Sequence, residues 1–259
     1  MEHEAVGFSP EITFFIPCMN ERKHSYDTIE TIYNTCINIA PFEIIAVDDG
    51  STDGTFESLL RAQQNHRNVP ITILRNGINR GVGFSFLLAA IHGRGKWIIY
   101  IPGDNVVLVE SLRAILEKRH DKDIVIPHHS GSMDPRSRNR VVISRLFTTV
   151  VNLISGNKIL YYNGSVLFPR EVISQIPIYF SSPAYQSEII CRLFYEGFKY
   201  VHVHVPILEH GHEERGREQS AILKFKNIFP VSRTLLNIMF SRVYRKIEKR
   251  KSIKENNNE

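Results

Sequence analysis

Val47-Asp48-Asp49-Gly50-Ser51-Thr52-Asp53-Gly54-Thr55 is the stretch that decides the fold. An apolar run from Phe42 leads into it, and a helical pattern leaves it from about Phe56. Strand, turn and helix in that order are typical of an α/β crossover, where ligands gather at the carboxyl ends of parallel strands. The adjacent carboxylates of Asp48 and Asp49 are poor core residues, because a buried charge needs a partner. The alternative interpretation is an Asp- and Ser-rich turn that only caps the helix.

The first half of the chain repeats this strand–helix pattern. Short apolar runs predict strands at residues 12–16, 42–47, 70–74, 97–101 and 123–126. Helical spacing of apolar residues predicts helices at 25–39, 56–64, 84–92 and 109–119. Strands that alternate with helices predict an α/β fold with a Rossmann-like, doubly wound and mostly parallel sheet.

The second half of the chain has a different pattern. Residues 128–140 are polar and predict a loop, and an amphipathic helix is expected at 141–154. The remaining expected elements are a strand at 161–168, a helix at 185–195 and a strand at 200–205. In the last strand valines alternate with histidines, which predicts one buried and one polar face.

Composition and charge restrict the class of protein. The 259 residues suit one large α/β domain, and the three cysteines have no metal-type spacing and are odd in number. A reducing, cytoplasmic setting is therefore expected, and no apolar run is long enough to span a bilayer. The net charge is +5, and residues 242–254 alone hold seven Lys or Arg against one Glu. A basic tail on a nearly neutral body does not indicate a nucleic-acid-binding surface.

Two further motifs accompany the Asp-Asp stretch. Pro17-Cys18-Met19-Asn20-Glu21 ends the first predicted strand, and Asn79-Arg80-Gly81-Val82-Gly83 follows the third. Together the three resemble the nucleotide-sugar-binding half of a family 2 glycosyltransferase of the GT-A fold. The resemblance covers roughly residues 12–219. It implies a domain at 1–219, with its donor half at about 11–127 and its acceptor half at about 128–219. The residues at 220–259 themselves predict basic amphipathic helices, with a disordered tail at 256–259.

The resemblance assigns the donor-site residues. Pro17, Asn20 and Glu21 shape a loop under the nucleotide base, although Asn20 and Glu21 could instead cap the following helix. Asp48 and Asp49 accept from a base N–H or a ribose hydroxyl, with one of them in a supporting role.

The loop after the third strand adds further donor contacts. The guanidinium of Arg80 can donate two hydrogen bonds to a phosphate or to an acidic loop residue. Gly81 permits close approach of the backbone to the ligand.

The metal site departs from the family pattern. Relatives carry Asp-x-Asp after the fourth strand, and this chain has Pro102-Gly103-Asp104-Asn105. The resemblance implies Mg²⁺ or Mn²⁺ at Asp104, which is then also catalytic, with Gly103 and Asn105 against the substrate. A cation held by one carboxylate, substrate phosphates and water is chemically sound. A plain turn is the alternative.

A late polar loop supplies the other candidate ligands. His210 and His212 are candidate metal ligands, because neutral imidazole is a common one. Arg215 is a candidate for binding the donor diphosphate through two hydrogen bonds from its guanidinium. Surface positions without a ligand are the alternative for the two histidines.

The acceptor half contains one candidate general base. Glu188 lies where the family has an acidic residue at the start of the helix under the acceptor pocket, and it could be the base for an acceptor hydroxyl. It could equally be an acidic residue in the first helical turn that interacts with the helix dipole.

The nature of the acceptor is suggested by a second resemblance. Tyr162-Asn163-Gly164 and Phe168-Pro169-Arg170-Glu171-Val172 are similar to a segment of dolichyl- and polyprenyl-phosphate sugar transferases. The basic amphipathic tail suits peripheral contact with the inner face of a membrane, or packing on the domain.

The predicted function is transfer of a hexose from a nucleotide-diphosphate sugar, inverting as the resemblance implies, to a polyprenyl phosphate. The alternatives are transfer to a sugar hydroxyl of a glycan, as in cell-surface polysaccharide synthesis, and a non-catalytic module that binds nucleotide sugars or membranes. A sugar-phosphate nucleotidyltransferase is disfavoured, because the first loop is not the Gly-rich phosphate loop of those enzymes.

Overall fold

The fold was established from a computed structural model, which describes residues 8–129, 138–173, 182–206 and 225–256. The described residues form seven strands: β1 (Ile12–Cys18), β2 (Phe42–Asp49), β3 (Ile71–Asn76), β4 (Trp97–Tyr100), β5 (Ile124–His128), β6 (Leu167–Pro169) and β7 (Tyr200–His204). The same residues form eight helices: α1 (Ser25–Cys36), α2 (Thr55–Asn65), α3 (Val82–His92), α4 (Val109–Glu117), α5 (Arg138–Ser155), α6 (Arg170–Ile173), α7 (Tyr185–Tyr195) and α8 (Phe225–Asn256).

In the described part of the chain the strands form one sheet in the order β3-β2-β1-β4-β6-β5-β7. Every pairing is parallel except those of β6, which runs antiparallel to both β4 and β5. The expected mostly parallel, doubly wound sheet is therefore confirmed. Because β1, β2, β4, β5 and β7 point the same way, their carboxyl ends meet at one edge of the sheet.

The core lies on both faces of the sheet, and the alternation of side chains along a strand explains why. In β1, Phe14 and Ile16 pack in a cluster with α1, α2 and α4, whereas Phe15 faces a second cluster with α3, α5 and α7. Strands buried on both faces read as continuous apolar runs, and this made β1 and β2 easy to predict.

One predicted strand is wrong in extent. The strand expected at 161–168 contains only Leu167–Pro169. The backbone N–H of Gly164 instead donates to Oε1 of Gln186, and the Gln186 amide donates back to the Gly164 carbonyl. These bonds satisfy a loop backbone without a strand ladder. At the end of the chain, the described residues form one helix, α8, which ends at Asn256. The disordered tail was expected at residues 256–259, of which 257–259 lie outside the described residues, so it stays a prediction.

Candidate active site at the carboxyl edge of the sheet

The carboxyl edge gathers the predicted donor motifs. Cys18 at the end of β1 pairs in register with Asp48 at the end of β2. Burial raises the pKa of the Cys18 thiol, and the nearby carboxylates of Glu21, Asp48 and Asp104 raise it further. Three carboxylates from the loops at three strand ends are therefore near enough to the Cys18 thiol to act on it electrostatically. Such a place attracts N–H and O–H donors and cations, and it repels a bare diphosphate.

Backbone hydrogen bonds join the first loop to the Asp-Asp turn. The N–H of Asn20 donates to Oγ of Ser51 at 3.0 Å, and the N–H of Thr52 donates to Oδ1 of Asn20 at 3.0 Å. The N–H of Glu21 donates to Oγ1 of Thr55 at 2.8 Å. The two loops thus form one rigid unit, with Asn20 held in the left-handed region at φ 57°.

The capping alternative is not supported for Asn20, whereas the carbonyl oxygen of Glu21 accepts from the N–H groups of His24 and Ser25 at the start of α1. Helix α1 begins at Ser25, and its N-cap residue is His24, which makes no side-chain cap hydrogen bond. Asn20 and Glu21 precede the cap, and their backbones bond to the Asp-Asp turn. The roles of Pro17, Asn20 and Glu21 in base binding stay predictions.

The two adjacent carboxylates have different partners. Both oxygens of Asp49 are occupied, since Oδ1 accepts from Asn76 Nδ2 at 2.7 Å and from the Arg80 N–H at 2.9 Å, and Oδ2 accepts from the Gly81 N–H at 2.8 Å. Asp49 therefore orders the loop that follows β3, a supporting role that the sequence left open between the pair.

Asp48 has one oxygen, Oδ2, with fewer hydrogen-bond partners than the oxygens of Asp49. Its Oδ1 accepts from the Ser51 N–H at 2.9 Å, and its Oδ2 forms an ion pair at 3.2 Å with Nε of Arg75, whose side chain is half exposed. The Asp48 side chain is fully buried. A nucleoside N–H or hydroxyl group can compete for Oδ2 more readily than for either oxygen of Asp49. The binding role of Asp48 stays a prediction.

The loop after β3 packs directly on the Asp-Asp turn. A Cβ atom at Gly50, which has φ 79°, would lie 2.8 Å from backbone atoms of Ile78 and Asn79. Gly81 has φ 88°, and an added Cβ atom would meet nothing within 4 Å. Glycine is therefore favoured there by the backbone conformation and not by a lack of space. The guanidinium of Arg80 lies 4.0 Å from the centre of the Phe84 ring, which fixes its direction without a carboxylate.

Asp104 follows β4 in a turn held close to β1. A Cβ atom at Gly103 would lie 2.7 Å from Sγ of Cys18 and from the carbonyl oxygen of Pro17, so this turn requires glycine for close approach. Asn105 has φ 54°, and its Oδ1 accepts from Oγ1 of Thr31 on α1. The turn therefore has a fixed position against the donor loops.

The candidate cation ligands are few in the described residues. No group of three or more His, Cys, Asp or Glu side chains suited to a metal ion occurs in residues 8–129, 138–173, 182–206 and 225–256. His210, His212 and Arg215 lie outside the described residues. The described residues therefore do not contain a complete set of protein ligands for a metal ion, and the metal role of Asp104 stays a prediction.

In the acceptor half Glu188 is fully buried. Its Oε1 lies 3.0 Å from Nη2 of Arg192, one turn along α7, and accepts from Nδ2 of Asn237 on α8 at 3.2 Å. The carboxylate thus joins α7 to α8. The sequence alone did not identify Arg192 and Asn237 as its partners, although the four-residue spacing to Arg192 was a visible signal.

A histidine cluster at the carboxyl ends of β5 and β7 was also missed. The ring of His128 lies 5.2 Å from that of His204 and 5.6 Å from that of His202. Burial lowers the pKa of His128 and of His202, and the neighbouring imidazoles lower both further. His129 packs on Tyr161, which continues the cluster toward Tyr100 and Asp104.

Comparison of the sequence with known protein families agrees with the site described above. The sequence profile described as "Glycosyl transferase family 2" matches residues 13–176, more than half of the chain. The chain belongs to glycosyl transferase family 2. The matched region includes all three donor motifs and Asp104, and it ends before Glu188.

Two curated relatives show the range of the family around this chain. The abequosyltransferase RfbV of Salmonella typhimurium is 31% identical over 41% of this chain and 31% of its own length. A dolichyl-phosphate beta-glucosyltransferase of Trichomonas vaginalis, ALG5D, is 25% identical over 52% of this chain and 44% of its own. The chain thus spans less than half the length of these relatives.

A solved structure confirms the GT-A fold. The mannosyltransferase PcManGT of Pyrobaculum calidifontis, determined in complex with GDP-Man and Mn²⁺, superposes with a TM-score of 0.59 at 17% identity. The match covers 92% of this chain and 72% of that one, so it extends well beyond the region that holds the three donor motifs.

Proposed function

We propose that the protein transfers a sugar from a nucleotide-diphosphate sugar to a polyprenyl phosphate. The observation that carries the donor half of this proposal is the convergence of Glu21, Asp48 and Asp104 around Cys18 at the carboxyl edge. Family membership and the nucleotide-sugar complex of the mannosyltransferase support the same chemistry.

The nucleoside binds against the rigid unit formed by the first two loops. Oδ2 of Asp48 accepts from a base N–H or a ribose hydroxyl, while Asp49 holds the loop of Arg80 and Gly81 in place. Because these loops are ordered before the ligand arrives, little conformational entropy is lost on binding.

The diphosphate requires a positive charge beside Asp104. The local carboxylates repel an anionic leaving group, and a divalent cation, Mg²⁺ or Mn²⁺, would be held by Asp104 together with phosphate oxygens and water. When bound, the cation supplies charge neutralisation to the departing diphosphate. Asp104 fixes where that neutralisation occurs, and the Gly103 turn holds Asp104 against β1.

The contacts of Glu188 support a lipid-phosphate acceptor. A phosphate monoester has its second pKa near ~6, so it is already a nucleophile at neutral pH and needs no protein base. Glu188 is fully buried, and Arg192 and Asn237 bind its Oε1. A buried carboxylate that is already ion-paired and hydrogen-bonded is a poor acceptor for the proton of a sugar hydroxyl. The dolichyl-phosphate relative supports a lipid-phosphate acceptor.

A glycan hydroxyl is the second candidate acceptor, and the abequosyltransferase relative favours it. In that case Glu188, or a residue outside the described ranges, acts as the general base. Inversion at the sugar carbon is proposed for both acceptors, with direct attack from the face opposite the diphosphate.

A ligand screen followed by a transfer assay tests the proposal. Nucleoside diphosphates and their sugars are screened by thermal denaturation with and without Mg²⁺ or Mn²⁺, because a ligand at 100 times its Kd stabilises the folded state by about 2.7 kcal/mol. Stabilisation by one nucleotide sugar, followed by transfer to a polyprenyl phosphate, is the expected result. Binding without transfer to either acceptor would indicate a non-catalytic nucleotide-sugar module.

A further inference from the structure

Helix α8 has two apolar faces, and only one of them contacts the domain. Val231, Thr234 and Ile238 are buried at spacings of three and four residues. An exposed set, here called the outer stripe, is Phe229, Leu236, Met239, Phe240, Val243 and Ile247, with relative exposures from 37% to 73%. At 100° per residue the outer stripe lies on the side of the helix opposite the buried residues.

Helix α5 repeats this arrangement beside α8. Phe147 and Val151 are buried, whereas Val142, Leu146 and Leu153 are 63% to 72% exposed. The guanidinium of Arg242 donates to the carbonyl oxygens of Leu153 and Ile154, both at 3.0 Å. These bonds hold the end of α5 against α8, so exposed apolar side chains occupy two adjacent helices. Apolar surface of this extent indicates an interaction site.

The charge of α8 selects the partner. Residues 225–256 contain nine Lys or Arg against two Glu, a net charge of +7, whereas the whole chain carries +5. Pairing the outer stripe with that of a second copy would place two helices of charge +7 side by side. An anionic lipid surface instead neutralises the helix, and each basic residue near such a surface contributes to binding.

We propose that the outer stripe of α8 and the exposed face of α5 dock on an anionic lipid bilayer. The helices lie in the headgroup region with their apolar side chains toward the acyl chains. No helix in the described residues is long and apolar enough to cross a membrane, which agrees with docking along the surface. The docking surface shares no residue with the proposed donor site, and docking does not depend on the proposed transfer reaction.

The test measures flotation of the full chain with vesicles. Vesicles of phosphatidylcholine alone are compared with vesicles that also contain phosphatidylglycerol, at low and high salt. The variant Leu236→Asp/Phe240→Asp removes two exposed members of the outer stripe. Ile91→Asp, at a 58% exposed apolar position on α3, is the matched control. Circular dichroism checks that both variants fold.

The proposal expects binding to phosphatidylglycerol vesicles that weakens at high salt, falls roughly tenfold or more in the double variant and is unchanged in the control. Equal binding to both vesicle types, no binding by the wild type, or equal losses in both variants would overturn it. So would a dimer in solution that the double variant converts to a monomer. Salt and lipid dependence of the wild type decide the question even if the double variant fails to fold. Donor binding by calorimetry is measured in parallel and reports separately on the proposed function.

Discussion

The donor and acceptor halves use buried carboxylates in different ways. In the donor half, Asp48 accepts a hydrogen bond from a backbone N–H of its own turn, and Asp49 accepts from backbone N–H groups of the loop after β3. In the acceptor half, Glu188 binds a guanidinium of its own helix and an amide of α8. The donor carboxylates therefore order loops around a ligand site, whereas Glu188 orders the packing of two helices. Carboxylates at equally buried positions thus hold the loops of the proposed donor site in one half and a helix interface in the other.

This difference predicts that changes in the donor half disturb stability and donor binding together. In the acceptor half, changes at Glu188 should disturb mainly stability. The variants below test this contrast, beginning with the largest expected effect.

Gly50→Ala should have the largest effect. A left-handed φ costs a non-Gly residue roughly 1–2 kcal/mol, and the clash with the backbone of Ile78 and Asn79 adds about 1–3 kcal/mol. Chemical denaturation should show a loss of about 2–5 kcal/mol in the free energy of unfolding. Gly77→Ala, where an added Cβ meets no atom within 4 Å, is the matched control. Equal stability of the two variants would show that the loop after β3 does not pack on Gly50.

Asp49→Ala should have the next largest effect. It removes the acceptor for Asn76 and for the N–H groups of Arg80 and Gly81, and buried donors without partners cost about 1–3 kcal/mol. Calorimetry should also show weaker binding of nucleoside diphosphates, because the loop is no longer ordered. Asp121→Ala, at an exposed ion pair with Lys118, is the control and should change neither quantity. Full stability with weaker binding would instead assign Asp49 to direct ligand contact.

Glu188→Gln should have a smaller effect, confined to stability. The amide keeps the shape and one acceptor oxygen, and Arg192 reaches solvent, so a loss of about 0.5–1.5 kcal/mol is expected from the weakened pair. Turnover on a polyprenyl phosphate should stay within a few-fold of wild type. A general base contributes roughly 10²–10⁴-fold, so a hundredfold fall in turnover with donor binding preserved would indicate a hydroxyl acceptor.

The smallest effect is a pH dependence of stability at the edge strand β7. Burial and neighbouring imidazoles hold the pKa of His128 and His202 below the ordinary value, so the unfolded chain binds more protons than the folded one near and below pH ~6.5. Their contribution to stability is present above that pH and is lost as the pH falls. Denaturation of wild type and His202→Gln between neutral and mildly acidic pH should show a shallower fall in the variant. Parallel curves would exclude His202 as a contributor.

Sequence was most informative where local patterns decide the structure. The apolar runs of β1 and β2 and the glycines at 50 and 54 specified the donor half within a few residues, because a buried parallel strand and a tight turn have local signatures. The three donor motifs then met at one edge, as parallel strands require.

Sequence was least informative where distant side chains satisfy the backbone. The Gly164 loop was read as part of a strand, since nothing nearby shows that Gln186, 22 residues later, bonds to it. The partner of Glu188 on α8 and the meeting of His128 with His204 depend likewise on tertiary packing. The unequal roles of Asp48 and Asp49 could not be read from two identical neighbouring residues.

The most direct test of the donor-site proposal is the effect of Asp104 on metal-dependent nucleotide binding. Calorimetry measures the Kd of the nucleoside diphosphate selected in the screen, with and without Mn²⁺, for wild type, Asp104→Asn and the control Asp121→Asn. We expect Mn²⁺ to tighten binding to wild type and to the control, and to leave the Kd of Asp104→Asn unchanged. Full metal-dependent tightening in Asp104→Asn would contradict the assignment of the cation to Asp104.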